Sequence, residues 1–252
     1  MATLAGRHAL VTGGGRGIGR AVAAALTGAG AAVTVLGRQE GPLRDAVAAG
    51  HAKDHAIADV TDAAAVAEAV QEATRARGPV DILVANAGSA KLAPFMKAAP
   101  DVFREMFDVH VLGMMHPAQA VLGGMIERGF GRIVAVASIA SFKPFPNMAP
   151  YTTAKHAMLG LVRSIALETA TTGITVNAVC PGYVETELVT SAIEQLVARG
   201  MSRDDAIGRF ASRNSRGRLV RPEEVAEAVL YFCSPGAAAT TGATLVIGAE
   251  AA

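Results

Sequence analysis

The chain has almost no net charge, since 23 Lys and Arg oppose 22 Asp and Glu across 252 residues and leave a formal balance of +1. Its basic residues are dispersed rather than gathered in a run or stripe, so neither nucleic acid nor an anionic membrane surface is an expected partner. Small-molecule chemistry is favoured. Cysteine is nearly missing too. Cys180 and Cys233 stand without C-x-x-C spacing or a Cys/His cluster, which argues against a zinc site or a disulfide scaffold and for two reduced, buried thiols. No metal is expected. No uncharged apolar stretch approaches the roughly 18 residues of a membrane span. Met1 to Arg7 runs straight into a strand-like His8-Ala-Leu-Val11, so the expected location is the cytoplasm. Internal repeats and low-complexity linkers are also lacking.

What is there is an alternation. Short apolar runs, read as strands near 8–11, 32–36, 55–58, 81–85, 132–137, 174–179 and 243–247, are separated by Ala-rich segments of helical period. Those helices fit near 18–28, 42–49, 62–76, 100–127, 151–171 and 222–232. Pro42, Pro100 and Pro222 stand near helix starts, and Gly50, Gly78 and Gly173 stand where helices should stop. Repeated βαβ units of this kind build an α/β fold: one doubly wound, Rossmann-type domain over 1–252, with a parallel seven-stranded sheet and helices on both faces. The polar stretch 183–219 breaks the alternation and reads as a lid.

The first strand ends in Thr12-Gly-Gly-Gly-Arg-Gly-Ile-Gly19 and leads directly into a helix. Gly13, Gly17 and Gly19, with Arg16 and Ile18 between them, would let backbone amides and the positive helix end face a pyrophosphate. The spacing is not G-x-G-x-x-G, and glycine also serves ordinary tight turns. In dinucleotide folds an acidic residue roughly 20 positions on binds the ribose 2′-hydroxyl. Here the second strand ends in Gly37-Arg38. With no carboxylate to repel it, a 2′-phosphate could take charge-assisted bonds from Arg38 and Arg16, which favours NADP(H) over NAD(H).

Tyr151-Thr-Thr-Ala-Lys155 puts a phenol and an ammonium on one helix face. A neighbouring cation should lower the phenol from its ordinary pKa of about 10, and such a Tyr can exchange a proton with a carbonyl or alcohol oxygen. Ser138, at the end of the fifth strand, could hydrogen-bond the same oxygen. Asn86 would otherwise read as a turn former and Asp59 as a loop residue or cap.

Taken in order, the glycine turn, Asp59-Val60, Asn86-Ala87-Gly88, Ser138, Tyr151/Lys155 and Pro181-Gly182-Tyr-Val184-Glu-Thr186 resemble the short-chain dehydrogenase/reductase pattern over nearly the whole chain. The resemblance implies that Asp59 and Val60 serve the adenine end, and that Asn86, Ala87 and Gly88 serve the central sheet and cofactor. It further implies that Lys155 holds the nicotinamide ribose beside Tyr151, that Val184 and Thr186 hold the carboxamide, and that the protein is a homo-oligomer, tetramers being usual.

Two departures stand out. Where the family carries an Asn that holds a water linked to the catalytic Lys, this chain has His110-Val-Leu-Gly113, and an imidazole near its working pH could relay protons instead. Beyond the last strand, Ile247-Gly-Ala-Glu250-Ala-Ala252 replaces a Val-Asp-Gly-Gly-like run. Expected substrate walls are Ser89-Ala-Lys91, Phe142 to Phe145, Tyr183, and Leu188 and Met201 of the lid. The leading function is reduction of a ketone, such as a 3-oxoacyl thioester as in polyketide ketoreductases. An NAD(H)-linked dehydrogenase of a cyclic or hydroxysteroid-like alcohol is the enzymatic alternative, and a catalytically idle cofactor sensor or scaffold is the other.

Overall fold

In the computed structural model, which describes residues 4–249, seven parallel strands lie in the order β3-β2-β1-β4-β5-β6-β7. They are β1 (His8–Thr12), β2 (Ala32–Gly37), β3 (Asp54–Ile57), β4 (Ile82–Ala85), β5 (Gly131–Val136), β6 (Ile174–Pro181) and β7 (Thr244–Ile247). Their residues alternate between two cores. Ala9 and Val11 of β1, Val33 and Val35 of β2, and Ile82 and Val84 of β4 pack on one face against α1 (Gly17–Gly28), with α9 (Pro222–Cys233) beside it. Leu10, Leu36, Leu83 and Ile133 face the other way, onto α3 (Ala63–Arg77), α5 (Gly113–Arg128) and α6 (Ala149–Glu168). Burial on both faces is why these strands read as continuous apolar runs. Cys180 and Cys233 are buried free thiols.

The chain leaves the β3 edge and returns as β4 beside β1, so the direction of winding reverses between β1 and β4. Ligand crevices of doubly wound sheets open at such a point, beyond the strands' carboxyl ends. Thr12, Ala85, Val136 and Pro181 end their strands at that edge.

The expected helix over 100–127 is broken. α4 (Pro100–Phe107) passes into one π-helical turn, Asp108–Leu112, before α5 begins. The extra residue in that turn rotates α5 relative to α4, an irregularity that hydrophobic periodicity does not reveal. The stretch 183–219 is largely helical, with α7 (Glu187–Val197) and α8 (Arg203–Ala211). Between α1 and α3 lies α2 (Glu40–Ala48). Glu250-Ala-Ala252 falls outside the described residues.

Candidate active site

A cavity of about 820 Å³ opens at the carboxyl edge of the sheet, and the glycine turn forms one end of it. The turn is tied down from β4. Asn86 Nδ2 donates to the carbonyls of Thr12 at 2.9 Å and Gly13 at 3.2 Å, while the Thr12 hydroxyl accepts from the amides of Asn86 and Ala87, both at 3.0 Å. A Cβ at Gly19 would stand 2.2 Å from the Gly13 carbonyl oxygen and 2.5 Å from Asn86 Nδ2. Only glycine allows α1 to begin so close to the turn. A backbone packed this tightly, lining a cavity at a helix N-terminus, suits the close approach of a pyrophosphate. Thr12 was not among the sequence candidates, because nothing distinguishes its buried hydroxyl from any other strand threonine.

Away from the glycine turn, Ser138, Tyr151 and Lys155 all line the cavity. Ser138 caps a short 3-10 turn, its Oγ accepting from the Ala140 amide at 3.1 Å. Tyr151 lies in the first turn of α6, where Pro150 suits the helix start. One turn on, Lys155 Nζ donates to the Val136 carbonyl at 3.0 Å and lies 5.7 Å from the Tyr151 ring centre. The electrostatics differ from expectation. Burial raises the Tyr151 phenol to about 12, against a lowering influence from the Ser138 hydroxyl. Burial also brings the Lys155 ammonium down to about 8. The cation is committed to the Val136 carbonyl, and the cost of taking a phenolate out of water dominates at Tyr151.

His110 is buried in the π-turn. Its Nε2 meets the Ser89 carbonyl at 2.7 Å, and its ring stands edge-on to that of Tyr151, centroids 5.2 Å apart and planes at 86°. Burial first, and then the Lys155 charge, lower its pKa to about 3. Burial and the Lys155 charge thus oppose a charged imidazole, against the expectation of one that cycles its charge near neutral pH.

Other candidates divide. Gly13, Arg16, Gly17, Ile18, Gly19, Asn86, Ala87, Gly88, Pro181, Gly182, Val184 and Thr186 line the cavity, as do Ser89, Ala90, Lys91, Phe145, Tyr183 and Leu188. Arg38 and Asp59 lie outside its lining and face each other at 3.6 Å. Burial pushes the Asp59 carboxyl up, but bonds from the Thr61 amide and hydroxyl, with Arg38, outweigh it and hold the carboxyl below its ordinary value. The Val60 side chain is core, 2.7 Å from where a Gly113 Cβ would be, and its carbonyl meets His116 Nδ1 at 2.9 Å, so any part it has in holding the adenine end falls to its backbone amide. Phe142 packs against the core and Met201 against the lid's own small core, so neither is a cavity wall. Arg16 reaches across to the lid, donating to Glu187 at 2.7 Å.

The lid presents Glu187, Leu188, Val189, Ser191, Ala192 and Gln195 to the cavity, and Val189 also packs with Ile193 against Ala206 of α8. Asn214 fixes Tyr183 from both sides, accepting from its amide at 2.9 Å and donating to its carbonyl at 2.8 Å. Tyr183 in turn stands among Phe145 and Phe210, at ring distances of 6.3 and 5.2 Å. Phe210 and Gln195 carry no sequence signal, since they reach the cavity only through the fold of α7 and α8, and Asn214 acts on it only by holding Tyr183.

A family profile for short chain dehydrogenases matches residues 7–196. The chain belongs to that family, a short-chain NAD(P)-dependent dehydrogenase/reductase by sequence and fold. Among its relatives, an acetoacetyl-CoA reductase of Rhizobium meliloti is 37% identical over 243 residues, 95% of each chain. A variant of actinorhodin polyketide ketoreductase, solved with NADPH, is 37% identical, with a TM-score of 0.91 over 98% of this chain and 97% of that one. L-Sorbose reductase from Gluconobacter frateurii, solved with NADPH and L-sorbose, is 26% identical, with a TM-score of 0.93 over 98% and 97% of the two chains.

Proposed function

We propose that this protein is an NADP(H)-dependent reductase that converts a ketone, with a 3-oxoacyl thioester as the leading candidate, to a secondary alcohol. The observation that carries this reading is the convergence of Ser138, Tyr151 and Lys155 on the cavity that the glycine turn closes at its other end. The relatives solved with NADPH, and the relative named for a 3-oxoacyl thioester, support the choice of cofactor and substrate class.

Bound NADPH supplies the hydride that reaches the carbonyl carbon. The matching proton is Tyr151's. A phenol raised to about 12 is fully protonated at neutral pH and is ready to donate to the carbonyl oxygen as it becomes an alkoxide. The Ser138 hydroxyl donates a hydrogen bond to that same oxygen, and Lys155 holds positive charge beneath it. Gly13, Arg16, Gly17, Ile18 and Gly19 would hold the pyrophosphate, Arg38 the 2′-phosphate and Asp59 the adenine end. Asn86, Ala87, Gly88, Pro181, Gly182, Val184 and Thr186 would frame the nicotinamide half, and Phe145, Tyr183 and Leu188 the substrate. Residues 1–252 would act as one catalytic domain, in a homotetramer; exposed Phe107, Ile126, Leu167 and Tyr231 give apolar surface for subunit contacts. Two unpaired buried thiols suit the reducing cytoplasm. Among the described residues no helix is long and apolar enough to cross a membrane.

The test monitors NADPH absorbance against a panel of ketones and 3-oxoacyl thioesters, with Tyr151→Phe as control. Wild type should consume NADPH with at least one of them. The variant should bind nucleotide yet lose about 10²–10⁴-fold in turnover. Retention of more than about a third of wild-type turnover would remove Tyr151 as the acid.

A further inference from the structure

His110 touches two parts of the site at once. A carbonyl oxygen can only accept, so the 2.7 Å contact with Ser89 places the ring proton on Nε2 and leaves Nδ1 with a lone pair. Nδ1 is buried and has no hydrogen-bond partner among the described residues. On that side the ring presses against the backbone: a Cβ at Gly88 would lie 2.7 Å from His110 Cε1 and 3.2 Å from Nδ1. Among the described residues no other atom comes as close to that position, the next being the Asn86 carbonyl oxygen at 3.7 Å. On another side the imidazole meets the Tyr151 ring edge to face, at 5.2 Å and 86°. The π-turn Asp108–Leu112 carries His110 into this gap between the turn after β4 and the start of α6.

We propose that His110 is a positioning residue, a wedge between the Gly88–Ser89 turn and Tyr151 that sets where the Tyr151 hydroxyl stands beside Ser138. The role rests on the reading of Tyr151 as proton donor, and it requires no proton to pass through the imidazole. The Ser89 bond fixes the ring from one end, and the close fit to Gly88 stops it from rocking backward. An edge-to-face partner gives directional support of a kind that a shorter, non-aromatic side chain does not supply. The groups facing the imidazole are Tyr151 and Lys155 of α6 and the Ser89 carbonyl. The Lys155 cation disfavours a second proton on the ring, which keeps the Nε2-protonated form in place.

The wedge predicts a coupling between two positions that share no chemistry. His110→Ala should lower kcat between about tenfold and a hundredfold, the cost of a misplaced reacting group, and leave NADPH affinity unchanged. Gly88→Ala should cause a similar loss by displacing the ring. Because the Cβ added at 88 meets little but that ring, Gly88→Ala combined with His110→Ala should be no worse than His110→Ala alone. His110→Gln keeps an N–H able to reach toward Ser89 but has no ring, and should fold, bind nucleotide and remain slow. Steady-state kinetics, nucleotide binding and thermal melts on the four variants, with Tyr151→Phe alongside, separate the outcomes. Losses that multiply in the double variant overturn the wedge. So does His110→Gln at wild-type kcat, or His110→Ala folded and within about twofold of wild type. If Tyr151→Phe is itself active, the assignment of the proton donor fails instead.

Discussion

Lys155 Nζ and the Val136 carbonyl are hydrogen-bonded at 3.0 Å, which anchors the cation to the end of β5, two residues before Ser138. Strand and helix thereby hold the Ser138 and Tyr151 side of the cavity in a fixed relation. The same burial that secures the ammonium makes it easier to lose.

The pH dependence of reduction is set by that burial. Lys155 is lowered to about 8, so its charge is present below pH 8 and disappears as pH rises through it. Tyr151, near 12, keeps its proton throughout. For ketone reduction, kcat/KM should be level up to about pH 8 and then fall, approaching tenfold per pH unit. Initial rates at low NADPH from pH 5 to 10 test this, and Lys155→Met should be slow with no such limb. A wild-type profile level to about pH 10 would mean that the charge on Lys155 is not needed.

Nucleotide choice should rest on Arg38. Its 3.6 Å pairing with Asp59 is solvent-exposed and weak, so a phosphate can draw the guanidinium away at little cost. A charge-assisted bond of roughly 1.5–3 kcal/mol corresponds to a preference for NADPH over NADH of roughly ten- to more than a hundredfold in kcat/KM. Arg38→Asp should reverse it. Equal kinetics with both nucleotides in wild type would take the preference away from Arg38 and reopen the NAD(H)-linked alternative.

Much of this site was legible in the sequence because its parts are local. The glycine turn, Tyr151 with Lys155, and Ser138 at a strand end each declare themselves within a few residues, and the seven apolar runs mark the sheet because both of its faces are buried. What depends on distant packing was not legible. The break at His110 lies inside a segment whose periodicity reads as one helix. Phe142 looks like a substrate wall from its neighbours in sequence, yet its side chain packs against the core. The phenol shift had the wrong sign for a related reason. Sequence gives the spacing of Tyr151 and Lys155 but neither the depth at which they are buried nor the Val136 carbonyl that engages the cation.

The neutral His110 also makes the fold sensitive to acid. Its pKa is about 3 in the folded protein, whereas an exposed histidine titrates near 6.5, so between those values the unfolded chain holds a proton that the folded one refuses. Stability therefore rises with pH across that window and is lost as pH falls below about 6.5, by up to about 1.4 kcal/mol per pH unit for this one group. His8 acts in the same direction. Burial lowers its pKa, and both its ring nitrogens are engaged, with the Gly78 carbonyl at 2.7 Å and the Thr34 hydroxyl at 2.9 Å. Carboxylates also shift with pH, so the informative quantity is a difference between proteins. Urea unfolding at one protein concentration, at pH 7.5 and pH 5, should show wild type losing about 1.5–2 kcal/mol more than His110→Gln, even if the variant is the less stable of the two at pH 7.5. Over the same range the turnover of wild type should carry no histidine limb near pH 6–7, since the group is already neutral there. Equal acid losses in the two proteins, or a limb in that range that disappears with His110, would mean that the imidazole takes up a proton in the folded enzyme and would restore it as a charge-carrying relay.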